Sequence, residues 1–408
     1  MFDTRERSAG TASAAIAMAR LYPVISSASR SVEPARREAQ PSARAVRPLD
    51  EAKPATSSTL GEFLQSAHID PDDPASLGSL LDQLIQHGYD RAPFMPLPGH
   101  GQTLTRWRTL AAVAACDLGL VKLFEGHTDA LAILAELRAR TPVAGSRWAV
   151  WAAEPPDARV TATRVASADG EPSELQLTGK KAWCSGAAVV SHALITAWLD
   201  DEPVLVSVAM DDPSISIDTT QWQAIGMRAT ASADVSFERT PATLIGGAQA
   251  YVKRPGFWHG GAGIAACWYG AAAQIGAMLR NACNERADAH RLAHLGDVDV
   301  ALAGAAALLR ETAASIDANP LADAQRAVMR VRLAVEAAAT EVMTHATRAL
   351  GAAPLCRDAR FARALTDLPV FLRQSHAERD LAALGELIVA AKSQPGTSTD
   401  AADAPWSL

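Results

Sequence analysis

The apolar period of the chain changes twice. Within 59–142 it is helical: Leu77, Leu80, Leu81, Leu84 and Ile85 recur at three- and four-residue steps, and Gly88 stands where a helix would stop. Segments 105–118 and 130–137 repeat the behaviour, with Pro93, Pro96 and Pro98 marking a loop before them. Within 143–248 short runs predict strands at 148–153, 159–165, 174–177, 193–198, 204–210 and 234–237. Several runs alternate, notably Leu175/Leu177, Val204/Val206/Val208 (with Leu205 the one apolar intervening residue) and Val235/Phe237, and turn clusters at 168–172 and 211–213 separate the runs. No helical run long enough for a crossover interrupts them, which predicts a mostly antiparallel sheet or small barrel.

Within 249–392 long helices return. One stripe is Ile264, Cys267, Trp268, Ala271, Ile275, Met278, Leu279 and Ala282, and a second is Val298, Leu302, Ala305, Leu309, Thr312 and Ile316. Val328, Val331, Val335, Val342, Ala346 and Leu350 make a third, and a fourth segment runs over 368–391. Four amphipathic segments with mostly short connections predict a four-helix bundle, its alanines allowing close approach. Residues 1–58, rich in Ala, Ser, Arg and Pro, have too little periodic apolar surface to offset their ordering entropy and read as a disordered extension. Their Arg- and Ser-rich start imitates a transit peptide, against which Asp3, Glu6, Glu33 and Glu38 argue. Residues 393–408 read as a flexible tail.

Composition narrows the function. Of 408 residues, 49% are apolar and 20% charged, an ordinary balance for a water-soluble protein. A formal charge of -7 opposes a nucleic-acid partner, since phosphate binding needs basic surface. No run approaches the roughly 18 consecutive apolar residues of a membrane span. Five scattered cysteines without a C-x-x-C pair fit a reducing, cytoplasmic setting. His290 and His294 share a helix face at a spacing used by some zinc sites; no third ligand is evident in the sequence, and the reading is two solvated histidines, with no metal.

Two motifs carry a resemblance. Leu177-Thr178-Gly179-Lys180-Lys181-Ala182-Trp183-Cys184-Ser185-Gly186 and Gly226-Met227-Arg228-Ala229-Thr230-Ala231-Ser232-Ala233-Asp234-Val235-Ser236-Phe237 resemble runs of the acyl-CoA dehydrogenase superfamily, over about residues 60–392. The resemblance implies an α+β, mostly α fold: an N-terminal helical domain (59–142), a middle β-domain (143–248) and a C-terminal four-helix bundle (249–392). It implies FAD, or reduced FMN in the monooxygenases of the same fold, with Trp183 covering the flavin ring and Ser185 bonding its polar edge. It also implies that Arg286, of the Glu285-Arg286 pair, reaches a neighbouring subunit's cofactor, that Gly351 lies on the pyrophosphate side, and that Arg228 is structural. His259, in the Gly256-Phe257-Trp258-His259-Gly260 stretch that opens the first bundle helix, reads as a solvated loop residue, with a place facing the flavin as the alternative.

The activity this leads with is α,β-dehydrogenation of an acyl-thioester-like substrate, which needs a carboxylate to take the α-proton. At the family's usual place for that Glu stands Thr366; Asp367 and Glu378 are the alternative bases, and Asp367, before Leu-Pro, equally suits a helix N-cap. Segment 152–157 lacks the first hydroxyl and the glycines of the family's flavin loop, and 348–353 is a reduced form of its glycine-rich pyrophosphate-side run that keeps Gly351. A reduced-flavin monooxygenase needs no such base, and His259 or His376 would then serve oxygen chemistry; a non-catalytic member of the fold is the third reading. The implied partners are an electron-transferring flavoprotein and further copies of the chain in a homodimer or homotetramer.

Overall fold

A computed structural model describes residues 59–165 and 174–390. The extension, the tail of 393–408 and the 168–172 turn cluster lie outside the described residues. Helices α1 (Leu60–Ser66), α2 (Pro74–Gln86), α3 (Thr103–Cys116) and α4 (Leu118–Glu136) come first. Their starts are set by side-chain caps. Thr59 and Glu62 form a reciprocal capping box on α1, Asp73 caps α2, and Asp117 caps α4.

Seven strands follow: β1 (Trp148–Trp151), β2 (Val160–Arg164), β3 (Glu174–Cys184), β4 (His192–Leu199), β5 (Glu202–Ala209), β6 (Ile215–Asp218) and β7 (Ala233–Ile245). The strand path runs β1-β4-β2-β3-β7-β5, and β5 pairs back to β4, so five strands close into a ring. Pairings β1–β4 and β2–β4 are parallel, and the rest are antiparallel. The mostly antiparallel sheet holds, with β6 added and β3 and β7 longer than the alternating runs that signalled them.

The chain ends in helices α5 (Ala250–Lys253), α6 (Gly256–Ala282), α7 (Ala289–Ala318), α8 (Gln325–Leu350), α9 (Ala352–Arg357), α10 (Ala359–Leu372) and α11 (Glu378–Ala390). One core joins α1–α4 to the buried faces of α6, α7, α8 and α10, and a second fills the sheet. A third, of Ala130, Ile133 and Leu134 against Trp148, Leu194, Leu205 and Ile245, packs α4 on the sheet. Helices α6 and α7 are also long and apolar enough to cross a membrane by length and composition; α6 is mostly buried in the protein, whereas α7 is mostly exposed.

Three expectations are corrected. The segment 130–137 is only the end of α4, whose middle carries buried Glu125, His127 and Thr128, so polar residues interrupt the apolar period. The fourth bundle segment is two helices, α10 and α11, broken at 373–377, where Ala377 adopts φ 47°. Asp367 is not an N-cap: it lies inside α10, which Asp358 caps through the Arg360 and Phe361 amides, and Pro369 is within the helix.

Candidate functional site

The two sequence motifs meet. Strand β3 bulges against β7 between Lys181 and Cys184, and Trp183 takes a left-handed φ of 59° there. Its neighbours Ala182 and Cys184 are buried, while Trp183 itself is 53% exposed. A tryptophan held out by the backbone on a rigid strand is a preformed flat apolar surface. The Ser185 hydroxyl lies 2.7 Å from that of Ser232, which lies 3.0 Å from that of Thr230; Thr230 donates to the Met227 carbonyl at 2.7 Å. The Gly186 amide donates to the Thr230 carbonyl at 2.8 Å, and the Trp151 indole N–H to the Ser185 carbonyl at 3.2 Å. Ser232 and Thr230 are thus part of the site, signalled in the sequence only as hydroxyls within the second motif. Arg228 is exposed beside Asp72, 3.3 Å away.

Behind this turn sits a buried ion pair. Lys181 is 0% exposed; its Nζ donates to Glu154 Oε1 at 3.1 Å and to Thr196 Oγ1 at 2.7 Å. Thr196 donates to Glu154 Oε1 at 3.0 Å and the Trp198 indole N–H to Oε2 at 2.9 Å. Burial lowers the Lys181 pKa against the pull of Glu154. Glu154 therefore anchors the 152–157 loop to the sheet. Gly179 is required here, because at φ 126° a Cβ would come 2.2 Å from the Arg159 carbonyl oxygen.

Asp367 closes the other side. Its Oδ1 accepts the Met227 amide at 2.5 Å, and the side chain is nearly buried, the residue being 6% exposed. Gly226 allows this approach, since a Cβ would lie 2.0 Å from the Thr366 carbonyl oxygen. Burial, then the nearby Asp117 charge, raises the Asp367 pKa to about 6 despite the Met227 hydrogen bond and Arg363. Asp117 itself is bridged to Arg363 at 3.3 Å. The turn, α4 and α10 are thereby tied together.

The other candidates are dispersed. Glu378 is exposed at the first turn of α11. Arg286 is exposed in the link between α6 and α7, and Gly351 is exposed between α8 and α9 at φ 67°. His259 is no loop residue: it is buried on α6 beside Gly99, and burial lowers its pKa. Gly256 does open α6, its amide donating to Glu136 Oε1 at 2.9 Å. His376, half-buried in the link between α10 and α11, has Nδ1 3.2 Å from Asp380 Oδ1. Burial pushes Asp380 up, but the His376 hydrogen bonds and the Arg332 charge outweigh it and its pKa is lowered.

No family model and no curated protein matches the chain. Solved structures do. FMN-bound TdsC, the dibenzothiophene monooxygenase of Paenibacillus sp. A11-2, aligns at TM-score 0.67 and 17% identity over 81% of this chain and 96% of that one. The methanesulfinate monooxygenase MsuC of Pseudomonas fluorescens aligns at TM-score 0.66 and 16% identity, over 84% and 99%. KijD3 in complex with FMN and a dTDP-linked keto sugar aligns at 0.65 and 19%, over 82% and 91%. The chain shares the acyl-CoA dehydrogenase fold with these proteins.

Proposed function

We propose that this chain is a flavin-dependent monooxygenase that takes reduced FMN and dioxygen, rather than a dehydrogenase working through Asp367 or Glu378. The observation that carries the reading is the state of the carboxylates. Asp367 is nearly buried with an oxygen committed to the Met227 amide, and Glu378 is exposed on the surface. An α-proton base must instead reach its proton directly or through one water. The likeness to FMN-bound TdsC, to MsuC and to the KijD3 complex with FMN supports the same choice.

The residues fit a flavin ring. The exposed Trp183 indole is shaped to cover it, and Ser185 and Ser232 offer hydroxyls beside the indole for its polar edge. When bound, reduced flavin supplies the two electrons that dioxygen chemistry requires. The domain units of this reading are 59–142, 143–248 and 249–392. In this reading His376, whose Nδ1 lies 3.2 Å from Asp380 Oδ1, is the imidazole that serves the oxygen chemistry. The link that carries it follows α10, which Asp367 fastens to the Met227 turn below Ser185. Electrons arrive with the flavin, so no electron-transferring flavoprotein is called for.

Trp183→Ala tests the ring site. Loss of an aromatic contact and its covered area is expected to weaken flavin about tenfold or more, measured by fluorescence quenching, with the circular dichroism unchanged. Unaltered affinity would move the ring away from Trp183. The reading also assigns a homodimer or homotetramer. Val300 and Leu292 of α7 and Leu381 and Val389 of α11 leave apolar side chains in water, and Arg286 is exposed where a second copy's phosphate could be met. Light scattering should give a multiple of the chain mass; a monomer at micromolar concentration contradicts it.

A further inference from the structure

The geometry points to a divalent transition-metal site between α7 and α8, with His294, Asp297 and His345 as its ligands. The sequence offered His290 with His294; the structure turns His294 to α8 instead. His294 Nδ1 lies 2.9 Å from His345 Nδ1, and His345 Nδ1 lies 3.3 Å from Asp297 Oδ2. All three ligand atoms fall within 4.8 Å of one another.

Chemistry and scaffold agree with that assignment. Two imidazoles meeting Nδ1 to Nδ1 set two lone pairs face to face unless one of those nitrogens carries a proton, and a cation between them satisfies both. A tetrahedral ion with bonds of about 2.0–2.1 Å separates its ligand atoms by about 3.3 Å. The Asp297–His345 spacing already matches, and the histidines need to part by only a few tenths of an ångström. His294 and Asp297 are three residues apart on one face of α7, and His345 stands on α8, the next helix, which returns alongside it. The ligands therefore sit on two regular helices rather than on loops. Imidazole nitrogens with one carboxylate favour zinc, cobalt, nickel or copper over calcium or magnesium. Asp297 has a side chain 61% exposed, so a fourth position opens to water. The early part of α7 and the late part of α8 carry none of the residues assigned to the flavin. A bound ion would clip the two helices together, adding a cross-link to the largely exposed α7.

The test uses the full chain, stripped with EDTA, dialysed, and titrated with Zn2+ and Co2+ by calorimetry and visible absorption. One equivalent per chain is expected, with a Co2+ spectrum free of thiolate charge transfer, which sets this site apart from the exposed Cys356. His345→Gln and His294→Ala should each weaken binding by at least about tenfold, and His290→Ala should leave it unchanged. Zn2+ should raise the thermal midpoint of the wild-type chain and not that of His345→Gln. Asp297→Asn, a change on an exposed side chain, gives a second variant should either histidine change impair folding, and it too should weaken binding. Absence of one-equivalent uptake, or uptake that survives both His345→Gln and Asp297→Asn, overturns the assignment and leaves a simple histidine–histidine hydrogen bond.

Discussion

Lys181→Met is expected to destabilise the protein by about 3–5 kcal/mol, the usual cost of stripping one partner from a buried ion pair. Methionine keeps the unbranched stem and ends one atom short of Nζ, so the loss reports chiefly the ammonium charge and its hydrogen bonds to Glu154 and Thr196. Glu154 would retain the Thr196 and Trp198 donors and lose its counter-charge in a site that excludes water. Glu154→Gln added to Lys181→Met should recover most of the loss, because the amide oxygen can take the Oε2 place and accept from the Trp198 indole while the amide N–H at the Oε1 place donates to the Thr196 hydroxyl, with no uncompensated charge. Denaturant unfolding of the two variants checks this. A single variant within about 1 kcal/mol of wild type would show that the pair does not anchor the 152–157 loop.

Asp367 gives the second large effect, through pH. Its folded pKa, about 6, exceeds the ordinary 3.8, so the folded chain holds this proton more tightly than the unfolded one. The stability it contributes is then complete below about pH 4 and is lost as pH rises through about 6. At 1.36 kcal/mol per pKa unit the loss approaches about 3 kcal/mol. Asp367→Asn keeps an oxygen for the Met227 amide and removes the buried charge. It should therefore be more stable than wild type at pH 7, by up to about 3 kcal/mol, and similar to it at pH 4. Urea midpoints across that range decide the matter. An Asn variant clearly weaker at pH 7 would mean that the ionised carboxylate holds the turn more strongly than burial penalises it.

The sequence was most legible where side chains alternate or stripe without interruption. Leu175 and Leu177 announce their strand because one face of it is buried, the apolar run Val204–Val208 announces its own with Val204, Val206 and Val208 in the sheet's core and Leu205 against α4, and the W-C-S-G and G-M-R motifs do come together around Ser185 and Ser232. Lys181 was readable in principle, since the inward positions Leu175 and Leu177 continue through Gly179 to it. Its partner Glu154 was not, because a loop residue's direction depends on the sheet it meets. The start of α4 stayed hidden because its apolar residues directly continue those of α3, with only Asp117 between the two helices, and the buried polar Glu125, His127 and Thr128 then interrupt the period in mid-helix. Asp367-Leu368-Pro369 imitates a helix start, yet Asp358 caps the helix that contains it. The meeting of His294 with His345 follows from how α7 and α8 align, which spacing within one helix cannot show.

The most direct test is anaerobic titration of the wild-type chain with oxidised and reduced FMN, alongside FAD, followed by addition of acyl-CoA. The monooxygenase reading predicts one reduced FMN per chain, bound more tightly than the oxidised form, and no bleaching by acyl-CoA. Tightly held FAD that an acyl-CoA bleaches would restore the dehydrogenase, and failure to bind flavin in either redox state would remove the flavin site altogether.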